Sequence, residues 1–315
     1  MGSPTGTRQA YQELLPALLR RLPSAVCLDT DTGMFQTEDF TSTPDRYLDL
    51  GIAEHTALAA AAGMAASGWR PYVHTMAAFA ASRAAEAVKI DIAYPRLPVH
   101  IIATHGGSSA GHLGPTHQAL EDLAIMRAMP GMCVLVPADG AAVEALLAQA
   151  AALPGPVYLR LGRKSTPPLA PDVPPPVLGR LQPMRRGDRV VVVCSGPHAV
   201  RHALGAAEEL ACEDVDVGVV QAHTIKPFDT AGLVERVRHT HLVVTVEDHW
   251  RSGGLGSVVA ETLSEHTPRP LVRLGVADSF ATAPGTEDEL LARQGLDTVG
   301  ITARLRKALA RQTTL

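Results

Sequence analysis

Three histidines and four glycines are concentrated in residues 104–118, directly after an apolar run. The histidines are His105, His112 and His117. Glycines cost conformational entropy and imidazoles rarely serve as loop bulk, so this composition indicates a functional loop. For each histidine the alternative is a solvated or locally hydrogen-bonded imidazole. Their spacing does not match a helical histidine pair or a Cys/His zinc site, and no metal cluster is expected here.

A second candidate is Glu54, which stands between the turn residue Gly51 and an alanine-rich segment, 56–66. Alanine has the highest helix propensity, and a glycine permits a sharp turn, so Glu54 is predicted in a helix's first turn. A negative charge there stabilises the helix dipole, which is one explanation for the glutamate. The other is a buried carboxylate whose raised pKa lets it exchange a proton with a cofactor nitrogen.

Short apolar strands alternate with helices around these candidates. The predicted elements of the first half are helices at 8–22, 77–94, 119–129 and 141–151, a helix carrying Glu54, and strands at 24–29, 71–75, 98–104, 132–136 and 157–161. Such alternation predicts an α/β fold with a mostly parallel sheet and helices on both faces. Ligand sites in these sheets lie at the carboxyl ends of strands, so loops 30–45 and 104–117 are the places to expect one.

A proline-rich segment divides the chain. Seven prolines between residues 165 and 188 predict a stiff linker at 166–188, between a first domain at 1–165 and a second, smaller α/β domain at 189–315. In the second domain, strands are predicted at 189–194, 215–220, 242–246 and 271–276, and helices at 199–210, 231–238, 256–263 and 299–310.

Composition narrows the class of protein. A chain of 315 residues suits two domains, and 46% hydrophobic residues with only 4% aromatics predicts aliphatic, alanine-rich packing. The net charge of -4 argues against a nucleic-acid or membrane role. The four scattered cysteines are interpreted as core thiols, and no leader-like segment or long apolar run is seen, so a cytoplasmic, soluble protein is expected.

Several motifs, in order along nearly the whole chain, resemble one enzyme family. Residues 51–55 (Gly-Ile-Ala-Glu-His), 71–75 leading to Phe79, 104–105 (Thr-His), 114–118 (Gly-Pro-Thr-His-Gln) and 134–139 resemble the pyrimidine-binding domain of transketolases and deoxyxylulose-phosphate synthases. Residues 246–249 (Val-Glu-Asp-His) and 253–257 (Gly-Gly-Leu-Gly-Ser) resemble that family's C-terminal domain. The resemblance implies two α/β domains and the cofactor thiamine diphosphate with Mg²⁺.

The resemblance also implies which residues contact the cofactor. Glu54 matches the glutamate that hydrogen-bonds the N1′ atom of the aminopyrimidine, where protonation of the ring helps to remove the thiazolium proton. Phe79 matches the aromatic residue that stacks on the pyrimidine, although a phenylalanine after a strand also fits a core position. Ile52 belongs to the same motif and is expected beside the cofactor.

The remaining matches concern the substrate. His105 and His117 match histidines of the substrate channel, near donor hydroxyls or the substrate phosphate. Arg8 and Arg160 stand where an arginine reaches the sugar phosphate, and Arg163 is an ambiguous neighbour of Arg160. Arginine suits this role because its planar guanidinium makes bidentate, charge-assisted hydrogen bonds.

Two departures from the family pattern change the prediction. No Gly-Asp-Gly motif followed by asparagine occurs, so the resemblance implies that a separate subunit supplies the diphosphate and Mg²⁺ ligands, in an α2β2 assembly. Leu113 replaces an aspartate that contacts a substrate hydroxyl, and His112 also replaces an acid. We therefore expect an acceptor unlike the ordinary pentose-phosphate sugars, such as a less hydroxylated aldehyde or ketone.

The function implied is transfer of a two-carbon ketol unit from a ketose phosphate to an aldehyde acceptor. One alternative is the beta subunit of a 2-oxo acid dehydrogenase, which has the same two-domain plan and also needs a partner. The Gly-Pro-Thr-His-Gln stretch favours the transketolase. A further alternative is a non-catalytic homologue that only stabilises a partner subunit, which the combination of Glu54, Phe79, His105 and His117 argues against.

Overall fold

A computed structural model describes residues 6–166, 168–169 and 173–312. Predictions for residues 1–5, 167, 170–172 and 313–315 lie outside the described residues. The strands are β1 (Ala25–Asp29), β2 (Tyr47–Asp49), β3 (Arg70–Met76), β4 (His100–Thr104), β5 (Cys133–Leu135), β6 (Val157–Arg160), β7 (Gln182–Arg185), β8 (Val190–Ser195), β9 (Val217–Gln221), β10 (Thr224–Lys226), β11 (Leu242–Trp250) and β12 (Leu271–Val276).

Helices separate most of these strands. They are α1 (Thr7–Arg21), α2 (Glu54–Ala66), α3 (Ala77–Ala81), α4 (Ala85–Ala87), α5 (Asp122–Ala128), α6 (Gly140–Ala150), α7 (Pro197–Ala211), α8 (Thr230–Arg236), α9 (Leu255–His266), α10 (Glu287–Arg293) and α11 (Thr298–Gln312). Within the described ranges, no helix has both the length and the apolar character needed to cross a membrane.

The strands form two sheets, which confirms the predicted α/β fold. The first sheet has the order β10-β5-β6-β4-β3-β1-β2, and only β10 is antiparallel to its neighbour. The second has the order β12-β11-β8-β9-β7, with only β7 antiparallel. The carboxyl ends of β1, β2, β3 and β4 therefore meet at one edge of the first sheet, where loop 104–118 begins.

The structure differs from the sequence prediction at short edge strands. β2 lies just after the predicted loop, β7 lies within the segment predicted as a linker, and β10 crosses from the second half of the chain into the first sheet. Each has only three or four residues, too few to show a period, and Pro183 in β7 is tolerated because the strand is an edge. α10 was also missed, although Thr286 and Glu289 form a capping box that the sequence displays.

The predicted helix at 77–94 is broken. It consists of α3, α4 and a π-helical stretch, Val88–Ala93. The Ser82 hydroxyl donates a hydrogen bond to the Ala78 carbonyl at 2.5 Å, and such bonding to the preceding turn bends helices. Arg83 follows directly at the break, and its side chain reaches Glu54.

Four fully buried histidines predict an acid-sensitive fold. Burial lowers the pKa of His74, His100, His223 and His249 to about 4. In the unfolded chain these imidazoles have a pKa near 6.5. Below that pH the unfolded state therefore binds protons that the folded state does not bind. Their stabilising contribution is complete above pH 6.5 and is lost as the pH falls from 6.5 toward 4. Glu247, whose pKa burial raises to about 7, acts in the opposite direction and offsets one of the four.

Urea unfolding at about pH 7.5 and pH 5.5 checks this expectation. As the pH falls below 6.5, each uncompensated histidine should lower the free energy of unfolding by roughly 1.4 kcal/mol per pH unit. The variant His100→Gln should flatten the pH dependence. The control His239→Gln, at an exposed position, should leave it unchanged. Equal stability of the wild-type chain at both pH values would contradict the prediction.

Candidate active site

Glu54 is the first residue of α2 and lies at the carboxyl edge of the first sheet. Gly51 precedes it with φ +67°, a left-handed conformation that glycine adopts without strain. The Asp49 carboxylate accepts hydrogen bonds from the backbone N–H groups of Gly51, at 2.9 Å, and Asp31, at 3.2 Å. This turn places the Glu54 side chain inside the protein, with only 2% of its surface exposed.

Glu54, Arg83, Phe79 and His117 form a continuous cluster. Nη1 of Arg83 is 3.3 Å from Oε2 of Glu54, and the guanidinium carbon lies 5.7 Å from the centre of the Phe79 ring. The His117 ring meets Phe79 edge-on with 5.3 Å between centroids. Phe79 is only partly buried and Arg83 is 59% exposed, so Arg83 connects a buried carboxylate with a partly accessible aromatic ring.

His105 lies at the beginning of the loop, immediately after β4. Its backbone has φ +62°, which is unfavourable for a residue with a side chain, and its Nδ1 is 3.0 Å from the Thr104 hydroxyl. Burial and the charges of Arg8 and Arg163 lower the pKa of His105 to about 4. The imidazole is therefore neutral near pH 7, and it can donate or accept a hydrogen bond.

Arg8 and Arg163 make the region beside His105 strongly basic. Burial and Arg163 lower the pKa of Arg8, and the Nε of Arg8 is buried without a hydrogen-bond partner in the described structure. Arg163 is exposed, and its Nη1 is 3.5 Å from Nδ1 of His112. Two positive groups and an unused N–H donor suit an anionic ligand, because charge-assisted hydrogen bonds to an anion would satisfy them.

Arg160 does not share this environment, and the structure argues against its predicted role in phosphate binding. Its Nε and Nη2 contact the Asp122 carboxylate at 2.8 and 3.0 Å, and Nη2 also donates to the carbonyls of Ala119 and Asp248. The side chain is only 7% exposed. β6 is an interior parallel strand with both faces covered, so a side chain on it is buried unless it lies past the strand end, as Arg163 does.

Ile52 and Leu113 are apolar residues at the surface of this region. Ile52 is 71% exposed and Leu113 is 47% exposed. Leu113 ends a 3₁₀ helix, Ser108–Leu113, beside the exposed His112. The position predicted to carry the acceptor's hydroxyl contact therefore has no side-chain hydrogen-bonding group.

Sequence reasoning missed Arg83, and it treated Arg163 as ambiguous. Arg83 lies four residues after Phe79, a spacing that brings side chains together on a helix, and this was an available signal. It also missed the contact between Ser108 and Asp248. These residues are 140 positions apart in the sequence, so no local pattern indicates that they are in contact.

One group of possible metal ligands occurs among the described residues, in the second half of the chain. His198, His202 and Asp288 have ligand atoms within 4.8 Å of one another. Nη2 of Arg201 lies 3.2 to 3.3 Å from all three residues, so a cation already occupies this cluster. Its imidazoles also do not suit Mg²⁺, which prefers oxygen ligands.

Two family models match the chain. Residues 3–168 match the transketolase pyrimidine binding domain, and residues 179–301 match the transketolase C-terminal domain. The chain belongs to the transketolase family. The resemblance inferred from the sequence motifs is thereby confirmed.

Several curated family members are similar over almost their full length. A subunit of the 6-deoxy-6-sulfo-D-fructose transketolase of Clostridium sp. (strain MSTE9) is 37% identical over 92% of this chain and 90% of that protein. One subunit of the apulose-4-phosphate transketolase of Phocaeicola vulgatus is 34% identical over 93% of this chain and 94% of that protein.

Solved structures agree with the fold. A split-gene transketolase, described as an inactive beta4 tetramer, is 40% identical, with a TM-score of 0.88 over 97% of this chain and 99% of that one. The transketolase of Campylobacter jejuni is 23% identical with a TM-score of 0.81, and the match covers 97% of this chain but 47% of that one. This transketolase chain thus has the length of a split subunit and about half that of the C. jejuni chain.

Proposed function

We propose that this chain is the pyrimidine-binding subunit of a cytoplasmic, two-component transketolase that uses thiamine diphosphate. It moves a two-carbon ketol unit from a ketose phosphate to an aldehyde-type acceptor. The observation that carries the proposal is the buried Glu54 carboxylate at the start of α2, which Arg83 connects with the partly accessible Phe79 ring and, through it, with His117 of loop 104–118. The similarity to two transketolase subunits, each matched over at least nine tenths of both chains, supports the proposal.

The side chains present fit the cofactor's pyrimidine. Glu54 would hold a proton at the ring nitrogen N1′, and Phe79 and Ile52 would contact the ring's faces. When bound, thiamine diphosphate supplies a carbon nucleophile and accepts the electron pair released as the donor's carbon–carbon bond breaks. His105 and His117 would bind donor hydroxyls and hold or move the proton at the reacting oxygen.

A partner subunit would complete the site by supplying the diphosphate and Mg²⁺ ligands in an α2β2 assembly. Helix α2 presents small residues, Thr56, Ala60 and Gly63, on its exposed outer side. Small side chains let a helix of another subunit approach closely. The exposed Ile52 next to this surface would then be covered by the cofactor and the partner.

Arg163 is expected to bind the donor's phosphate. In the assembly with the partner, Arg163→Ala should raise KM for a phosphorylated donor roughly 10- to 100-fold, the effect of losing a charge-assisted hydrogen bond of about 1.5–3 kcal/mol. A donor without phosphate should be unaffected. The control Arg20→Ala, at the far end of α1, should change neither value, and an unchanged KM in Arg163→Ala would refute this assignment.

Leu113 should exclude acceptors that need a hydroxyl contact at this position. We expect the assembly to use erythrose 4-phosphate and ribose 5-phosphate much less well than a less hydroxylated aldehyde or ketone. A screen of acceptors, with one ketose donor held constant, measures this preference. If the assembly used the pentose-phosphate sugars as well as the less hydroxylated acceptors, this prediction would be wrong.

Reconstitution tests the proposed function itself. This chain is mixed with a candidate diphosphate-binding subunit, thiamine diphosphate and Mg²⁺, and ketose donors are screened against aldehyde acceptors. Ketol transfer is expected from the mixture and from neither chain alone. Dependence on a 2-oxo acid and a lipoyl acceptor would instead indicate the dehydrogenase function.

A further inference from the structure

The second sheet contacts loop 104–118 directly, at Ser108. The contact comes from Asp248 in β11, at the carboxyl end of a strand that pairs with β8. Asp248 accepts a hydrogen bond from the backbone N–H of Ser108 through Oδ2, and another from the Ser108 hydroxyl through Oδ1, each at 2.7 Å. Both carboxylate oxygens are thus used to hold one loop residue.

Neighbouring glycines show how closely the two parts of the chain approach. Gly107 has φ +66°, and a Cβ atom on it would overlap the Asp248 carboxylate. A Cβ atom on Gly111 would overlap Leu290 of α10, and the Gly111 carbonyl accepts a hydrogen bond from the N–H of Gly285 at 3.2 Å. Residues of the second half of the chain therefore fix the loop at two points, and glycine is needed at each.

Asp248 is itself anchored to the first sheet. Its carbonyl oxygen accepts a hydrogen bond from Nη2 of Arg160 at 3.0 Å, and Arg160 is held by Asp122. Next to it, Nε2 of His249 accepts from the N–H of Ala124 at 3.3 Å. The residue that holds Ser108 is therefore itself hydrogen-bonded to the first sheet.

We propose that Asp248 is a positioning residue, through which the C-terminal domain sets the conformation of the substrate loop. Ser108 is three residues after His105, whose left-handed backbone needs support from its surroundings. The carboxylate fixes Ser108, and this fixes the direction in which the His105 imidazole points. The inference rests on the proposed function, in which His105 contacts the donor.

The test uses the assembly of this chain with its partner. In Asp248→Asn an amide N–H group faces one of the two donors of Ser108, so one of the two hydrogen bonds is lost. Ser108→Ala removes only the hydroxyl. Each should lower kcat/KM for the donor, by about 10- to 100-fold for Asp248→Asn, because small displacements of a substrate-binding group have effects of this size. Ser108→Thr keeps the hydroxyl and should retain activity. The control Asp214→Asn, at an exposed left-handed position, should behave as wild type.

A second readout needs no turnover. Amide hydrogen exchange of residues 105–111 should accelerate in Asp248→Asn, while residues 54–66 and the affinity for thiamine diphosphate stay unchanged. Unaltered exchange in the loop, or an equal acceleration in both segments, would overturn the inference. Absence of ketol transfer by the wild-type assembly would count against the proposed function only, since the exchange experiment still decides whether Asp248 holds the loop.

Discussion

Replacing Glu54 with glutamine should strongly reduce turnover by the reconstituted enzyme while leaving the assembly intact. Glutamine has nearly the same size and keeps the buried position filled, but it cannot hold and release a proton at the cofactor's ring nitrogen. General acid–base groups contribute about 10²- to 10⁴-fold, so kcat should fall by that amount. Exchange of the cofactor's reactive C–H proton, followed by NMR, should slow in parallel.

The matched control is Glu86→Gln, an exposed glutamate in the first turn of α4. It removes the same charge at a helix start without touching the cluster of Glu54, Arg83 and Phe79. If Glu54→Gln kept wild-type turnover, Glu54 would have only a structural role, through the helix dipole and its ion pair with Arg83, and the non-catalytic alternative would be favoured.

Replacing Arg160 with methionine should destabilise the folded chain strongly. The guanidinium pairs with Asp122, which also accepts a hydrogen bond from the Tyr158 hydroxyl at 2.7 Å, so the substitution leaves a buried carboxylate without its counter-ion. Breaking one side of a buried ion pair typically costs about 3–5 kcal/mol. Urea unfolding of the chain measures the loss.

Two further variants show whether the ion pair is the cause. Arg163→Met, three residues along, should change stability by no more than about 0.5 kcal/mol because the side chain is exposed. Adding Asp122→Leu to Arg160→Met should recover part of the loss, since the unpaired charge is then gone. A stable Arg160→Met chain with weakened phosphate binding would restore the role that the sequence predicted for Arg160.

The sequence was sufficient to predict the fold class and the position of Glu54. Both depend on local patterns: alternating apolar strands and helices for the fold, and a glycine followed by alanines for the helix start. The family motifs then gave Phe79, His105 and His117 their predicted roles. The structure brings His117 against Phe79, but their contact with a cofactor stays a prediction.

Other features depend on contacts between distant segments, which one sequence does not reveal. Arg160 and Arg163 occupy similar positions in the sequence, yet one is paired with Asp122 inside the protein and the other is exposed beside His112. The difference depends on where β6 ends and on an aspartate 38 residues away. β7 and β10 were missed because a strand of a few residues is stabilised by its neighbours more than by its own sequence.

We propose that this chain supplies Glu54 to a cofactor held between two different subunits. Calorimetric titration of thiamine diphosphate with Mg²⁺ tests it most directly, with this chain alone, its partner alone and the two together. Tight binding is expected only for the pair. Tight binding and ketol transfer by this chain alone would contradict the account.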